Sequence, residues 1–530
     1  VPTKNIPVSF EASFQWIRMI LLMMVLLFCS ASALWAQTEL QIDTTIAPGD
    51  IDHFWAQIPA GYSADRPPAL LIWWHQLGGT QFEMRDYSDY DLLANQRGWI
   101  AASQYGPNDR HWNTAQAQNH CKAMMDWLRN NGYPFSLDSI YMIGGSMGGA
   151  AGQVWNNNHC GINDYLAAAS AGGSQILDCQ LRQEQYLAGI GIDHPDTNRS
   201  MRVAFGGLPA DCAAVAFAYH RASAICFADT SQSMHFNSLH LPIFNTWGAT
   251  AAETLAYGNP AGVWDSLRRA SHADITVDSC SGLAGHGVAI MNQGGVVEWL
   301  RQFRRNPYPE ALSINADNSD EYYWTRVELR DTLHTFGRYG IRRNLEQRAM
   351  DITLVRNIRL IDIECQFPWT WDSLSGDWIN LDSILTPVTT VRFSGVPAVQ
   401  SVMRNHQPVP FTYSMDTLVI SPAPGGRYRI IFESGAVQGE PNAVPFDCRI
   451  ASAYPNPFNS EMTLQIESRW AGQQEIQLYD ITGRMAKSMT VALNPGIQRV
   501  NLSANGLSTG IYFVRLSGSE QNPLKIVLLK

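Results

Sequence analysis

A serine hydroxyl becomes a useful nucleophile only when a base takes its proton and N–H donors receive the negative charge that develops on the attacked carbonyl. Ser146 stands in Gly144-Gly145-Ser146-Met147-Gly148-Gly149, and Gly144-x-Ser146-x-Gly148 has the spacing of a nucleophile elbow. The elbow is a sharp turn from strand to helix, and its backbones approach so closely that only small residues fit two positions either side of the serine. The hydroxyl then stands at a helix N-terminus, whose backbone N–H groups can stabilise an oxyanion. The bare pattern is weak, and its value depends on the elements around it.

Those elements are legible. Residues 69–74 (Ala-Leu-Leu-Ile-Trp-Trp) form an uninterrupted apolar run, as expected for a parallel strand covered on both faces, and lead into His75-Gln76-Leu77-Gly78-Gly79. Cys121, Met124, Met125 and Leu128 fall at i, i+3, i+4 and i+7, which predicts an amphipathic helix stopped at Asn131-Gly132. Residues 139–143 predict a second buried strand ending at the elbow, and residues 150–155 predict the helix that leaves it.

On these residues the stretch 37–305 resembles the α/β-hydrolase fold, and within it the extracellular esterases related to polyhydroxybutyrate depolymerases and feruloyl or acetylxylan esterases. The resemblance implies Ser146 as nucleophile and the Met147 N–H as one oxyanion donor. It places the second donor at Gln76 or Leu77, with Gln76 where the family has a glycine. It implies a base after the last strand and before a final helix, where Gly285-His286-Gly287 lies between residues 274–277 and 295–300; His272 is a poorer rival. The family's acid is an Asp in Gly-x-x-Asp after a strand like residues 241–248. Here Gly248-Ala249-Thr250-Ala251-Ala252-Glu253 makes Glu253 the nearest carboxylate.

The region 156–240, between elbow and acid, reads as an inserted cap of the kind that carries specificity. Trp112 and the Trp73-Trp74 pair are candidates for a pocket wall, with core packing as the alternative reading.

The ends of the chain carry an address. Residues 20–28 (Ile-Leu-Leu-Met-Met-Val-Leu-Leu-Phe) followed by Ser30-Ala31-Ser32-Ala33 and Leu34-Trp35-Ala36 read as a signal peptide cleaved after Ala33 or Ala36. The run is short of the roughly 20 residues that span a bilayer. Met19 precedes it, so residues 1–18 read as upstream of the true start. At the other end come Ala453-Tyr454-Pro455-Asn456-Pro457-Phe458-Asn459, then Gln477-Leu478-Tyr479-Asp480-Ile481-Thr482-Gly483-Arg484. Leu507-Ser508-Thr509-Gly510-Ile511-Tyr512 follows, and Lys525-Ile526-Val527-Leu528-Leu529-Lys530 closes the chain. In order and spacing these blocks resemble the C-terminal sorting domain of the type IX secretion system. Residues 446–530 are therefore expected to be a small antiparallel sandwich, with a hairpin turn at Thr482-Gly483, that engages the secretion machinery and sends the protein to the surface or outside of a diderm cell.

Between these parts, Asn306-Pro307-Tyr308-Pro309 reads as a linker, and residues 310–440 show short alternating runs (322–329, 358–363, 389–393, 427–432) that predict a β-sandwich. Asn315-Ala316-Asp317-Asn318-Ser319-Asp320 lacks the Gly and Glu of a calcium loop and reads as a polar turn. No CxxC, HExxH or phosphate loop is present, so neither a metal nor another cofactor is expected.

With 530 residues, 45% hydrophobic and 16% charged, and a net charge of -10, the chain is neither a disordered tail nor a basic nucleic-acid binder. Nine cysteines, one of them Cys29 in the leader, leave eight for a secreted chain, which predicts disulfides without choosing among their 105 connectivities; Cys160 and Cys179, and Cys212 and Cys226, fall in the cap region. The expectation is an α/β hydrolase followed by two all-β modules, acting as a secreted serine hydrolase on carboxylic esters through an acyl-enzyme. A polymeric ester suits the context. The rivals are a serine peptidase of the prolyl oligopeptidase type and a degenerate hydrolase domain that binds a surface.

Overall fold

The structure is a computed structural model. It describes residues 37–175, 178–189, 195–226, 232–258, 260–262, 276–344, 348–365, 369–372, 377–380, 390–433, 448–454 and most of 456–529. Residues 1–36, His272, Pro455, Pro457, Thr482, Gly483 and Lys530, among them the expected signal peptide and hairpin turn, lie outside the described residues. Two compact units divide the chain, one through residue 434 and one from residue 435 on.

The first unit is built on an eight-stranded sheet: β1 (Thr38–Ala47), β2 (Asp50–Ile58), β3 (Leu70–Trp74), β4 (Ile100–Gln104), β5 (Ile140–Gly145), β6 (Ala169–Gly173), β7 (Ile243–Trp247) and β8 (Thr276–Cys280). Their order in space is β1-β2-β4-β3-β5-β6-β7-β8. β2 runs antiparallel to both neighbours, and all pairings from β4 through β8 are parallel. This is the α/β-hydrolase fold. Helices α1 (Glu83–Tyr87), α2 (Tyr90–Gln96), α3 (Ala115–Asn130), α4 (Met147–Asn158), α5 (Cys179–Leu187), α6 (Pro195–Phe205), α7 (Ala213–Arg221), α8 (Ala251–Glu253) and α9 (Gln293–Leu300) complete it.

The apolar run of β3 is buried throughout because its alternate side chains serve different cores. Leu70, Ile72 and Trp74 join α3 on one face of the sheet, through Cys121, Met124, Met125 and Leu128. Leu71 and Trp73 join α2 and α9 on the other. Trp74 packs against Trp155 and His111, and both tryptophans are fully buried, so neither lines a pocket. Helices α5, α6 and α7 stand between β6 and β7, where Cys179, Met201, Phe205, Val215 and Tyr219 pack on Trp112 and Met147.

Two six-stranded sheets follow over residues 311–432 and enclose one apolar core. The run 322–329 does not form one strand: Tyr323 takes φ 53°, which breaks it into Glu321–Tyr322 and Thr325–Leu329. Asp317 accepts the Tyr322 hydroxyl at 2.9 Å and pairs with Arg221.

The disulfides expected from the sequence are not shown by the structure. Among the described residues none forms a disulfide. Cys160 is buried in the sandwich core whereas Cys179 is buried under the helices between β6 and β7, so the two belong to different cores. Cys212 is exposed whereas Cys226 is buried.

Candidate active site

β5 delivers Ser146 to the N-terminus of α4, and the turn puts Ser146 at φ 53° and ψ −123°. An L-residue is strained there, and the strain is held in place by packing. A β-carbon on Gly148 would lie 1.9 Å from the carbonyl oxygen of Trp74, and one on Gly144 would lie 2.5 Å from the backbone of Gly148. The Ser146 amide is anchored to the Gly173 carbonyl at 2.8 Å, which ties the turn to β6.

β8 leads to the loop that carries His286. Its Nε2 lies 2.6 Å from Ser146 Oγ, and its Nδ1 lies 2.7 Å from Glu253 Oε1. Three residues separated by as many as 140 positions thus form one hydrogen-bonded chain. The imidazole is 43% exposed and the carboxylate only 9%, so the chain runs from a buried anion to an open hydroxyl.

Glu253 ends α8, just after β7, and Thr250 caps that short helix by accepting the Glu253 amide at 3.1 Å. The second carboxylate oxygen accepts the hydroxyl of Ser174 at 2.6 Å and the amide of Gly248 at 3.3 Å. Burial alone would raise this carboxyl, but the hydrogen bonds from His286 and Ser174, with the charge of His286, outweigh it and hold the group below its ordinary range. Ser174 has no motif around it. It sits at φ 55° directly after β6, and its Oγ also accepts the Gly287 amide at 3.3 Å.

Met147 is the first residue of α4, so its N–H is one of the amides that a helix leaves without an internal partner. Of the two candidates in the other loop, Gln76 is corrected: its N–H donates to Glu83 Oε2 at 2.7 Å and is not available to a ligand. The Leu77 N–H is engaged by no other described residue, and Leu77 lines the cavity beside Ser146. Glu83, at the start of α1, is a further residue that no motif announces. Its carboxylate also accepts Trp73 Nε1 at 3.1 Å and Gln76 Nε2 at 2.9 Å.

The cavity over Ser146 measures about 960 Å³. Its walls combine Leu77, Trp112, Met147, Met201, Tyr257 and Met291 with the polar groups just described. Trp112 is held in that wall by its indole N–H, which donates to Ser200 Oγ in α6 at 2.8 Å. Among the described residues no cluster of histidine, cysteine and carboxylate side chains has the makings of a metal site.

Residues 452–530 match the family described as Secretion system C-terminal sorting domain. The tail is a sorting domain. Proteins that carry it are exported by type IX secretion to the cell surface or beyond, so the secretion machinery is a partner of this chain. No curated relative matches the sequence. Among solved structures, the chain is similar to an S-formylglutathione hydrolase from Agrobacterium tumefaciens, at 12% identity and a TM-score of 0.37 over 50% of this chain and 94% of that one. It is likewise similar to the fluorophosphonate-binding serine hydrolase F of Staphylococcus aureus, at 14% identity and a TM-score of 0.37 over 50% and 98%. A ferulic acid esterase gives 11% identity and a TM-score of 0.35 over 50% and 97%.

The sorting domain brings together the two motifs that stand at its ends in sequence. Phe458 is buried and forms a parallel bridge with Leu528: its amide donates to the Val527 carbonyl at 2.9 Å, and its carbonyl accepts the Leu529 amide at 2.7 Å. The Asn456 side chain closes the same joint, accepting the Val527 amide at 2.8 Å and donating to the Lys525 carbonyl at 3.1 Å.

Proposed function

We propose that the protein is an exported serine hydrolase that cleaves carboxylic esters through an acyl-enzyme on Ser146. The observation that carries this reading is the unbroken chain from Ser146 Oγ through His286 to Glu253. As Ser146 Oγ bonds to the ester carbon, its proton passes to His286 Nε2, and Glu253 stabilises the imidazolium through Nδ1. The oxyanion is received by the N–H groups of Met147 and Leu77. Collapse of this intermediate breaks the bond to the alcohol oxygen, which takes the proton from His286. Water then attacks the acyl carbon with His286 again as base, and the free acid leaves Ser146.

Every proton in this cycle is handled by His286, and the reading assigns no metal or cofactor a part in it. A cavity near the upper end of the range usual for small-molecule sites, about 300–1,000 Å³, suits an ester with groups on both sides of the scissile bond, and export suits a substrate too large to enter the cell. We assign the catalytic unit to residues 37–305, with a cap at 156–240, the sandwich at 310–440 to an accessory role, and 446–530 to sorting.

The test uses the mature chain. A fluorophosphonate probe is expected to label it, and Ser146→Ala to abolish labelling. Turnover of p-nitrophenyl esters but not of peptide anilides is expected. Cleavage of anilides alone would favour the peptidase, and an unlabelled Ser146 would leave only a binding module.

A further inference from the structure

Two loops must be set against each other around Ser146, and they come from different parts of the sheet. The loop 75–79 follows β3 and supplies the Leu77 amide; the loop 285–288 follows β8, the edge strand, and supplies His286. One side chain spans the gap. Gln76 donates from Nε2 to Glu83 Oε1 at 2.9 Å, while its Oε1 accepts the Val288 amide at 3.2 Å. Its backbone N–H is fixed to the other oxygen of Glu83, and Glu83 is fixed to β3 through the buried indole of Trp73.

The space for this bridge is left by two glycines. A β-carbon on Gly287 would lie 1.8 Å from Gln76 Oε1, and one on Gly145 would lie 2.9 Å from it. Gly145 precedes the nucleophile and Gly287 follows the base, so the amide occupies a slot that touches both partners' backbones. A glycine at position 76, as in the resembling esterases, would leave that slot unfilled.

We infer that Gln76 is a positioning residue for the reaction: with Glu83 it locks the oxyanion loop to the histidine loop, so that the Leu77 amide and the His286 imidazole address the same carbonyl. This rests on the esterase reading above. The polarity of the bridge is fixed, with the amide N–H meeting a carboxylate on one side and the amide oxygen meeting a backbone N–H on the other.

The full chain would be compared with Gln76→Ala, Gln76→Glu and the double variant Gln76→Glu with Glu83→Gln, using p-nitrophenyl butyrate turnover and the rate and final extent of fluorophosphonate labelling. Misplacing a reacting group by about 1 Å can lower rates by about 100-fold. Gln76→Ala is therefore expected to lower kcat per labelled site by about 10- to 100-fold with KM changed less than about threefold. Labelling should reach the wild-type extent, only more slowly. Gln76→Glu sets two carboxylates against each other and is expected to lose more. Adding Glu83→Gln restores a donor facing an acceptor and should recover at least about tenfold of kcat.

A merely structural role would lower the labelled fraction and leave kcat per labelled site unchanged, which overturns the inference. So would a double variant no better than Gln76→Glu. If the wild-type chain neither turns over the ester nor takes the probe at Ser146, the esterase reading itself fails and this inference falls with it.

Discussion

Glu253 is a carboxylate in a place that buries it, and it stays charged because His286 and Ser174 each give it a hydrogen bond. The sign of the pH dependence follows. A carboxyl held below its ordinary range contributes stability that is present above the unfolded value and is lost as pH falls through the folded value. Removing the Ser174 hydroxyl leaves the second oxygen with only the longer contact to the Gly248 amide, so the folded value must rise. Ser174→Ala is expected to begin its acid loss of stability at higher pH than wild type, in urea denaturation followed from about pH 6 down to about pH 3. Identical acid limbs would remove Ser174 from the site. That role had no sequence signal: Ser174 is 79 positions from Glu253, and a lone serine after two glycines matches no motif. Ser146 is legible because an elbow is a local constraint on two glycines and the serine between them. Glu83 and Gln76 are not, because their meaning lies in which donors the fold brings to one carboxylate.

At the scale of elements, buried strands and the amphipathic helix are legible because their patterns are local: an unbroken apolar run marks a strand covered on both faces, and period 3.6 marks the covered face of a helix. β3 and α3 appear within a few residues of where their patterns place them. The split at Tyr323 is not legible, since a left-handed tyrosine is imposed by partners distant in sequence; its amide and carbonyl both bond the segment 160–162. Glycines show the same contrast between space and propensity. Gly148 has the Trp74 carbonyl where a β-carbon would go, whereas Gly294, inside α9, has nothing within 4 Å. Gly148→Ala must therefore push β3 and α4 apart and is expected to destabilise by about 2–4 kcal/mol or prevent folding. Gly294→Ala loses only backbone freedom of the unfolded chain and should stabilise by about 0.5–1 kcal/mol. Thermal unfolding of the two variants checks both signs.

The linker at Asn306-Pro307-Tyr308-Pro309 marks a change of architecture, but the packing does not divide there. Cys160 and Leu166, from the hydrolase portion of the chain, are buried among Tyr322, Tyr323, Ile341 and Ile352 of the sandwich. The Tyr323 amide donates to the Cys160 carbonyl at 2.8 Å, and its hydroxyl donates to the Asn237 carbonyl at 2.6 Å. The Asn237 side chain donates to the Asn315 carbonyl at 3.0 Å and accepts the Asn315 amide at 2.8 Å. Arg305 returns to Asp138 through both its backbone and its guanidinium. A fragment ending at residue 305 would strip Asn237 of these partners and expose the apolar face around Leu166. Apolar surface returned to water costs about 25 cal/mol per Å², and a domain has only about 5–15 kcal/mol in hand. Residues 37–305 alone are therefore expected to show no cooperative unfolding transition and no ester turnover. Residues 37–433 keep the shared core and every residue of the candidate site, so this fragment should unfold cooperatively and match the kcat of the longer chain. The accessory role of the sandwich is then to complete the core on which the catalytic unit folds, and the separable piece is the sorting domain, whose loss should abolish export while leaving turnover intact. Full activity in the fragment 37–305 would show that the shared core is dispensable.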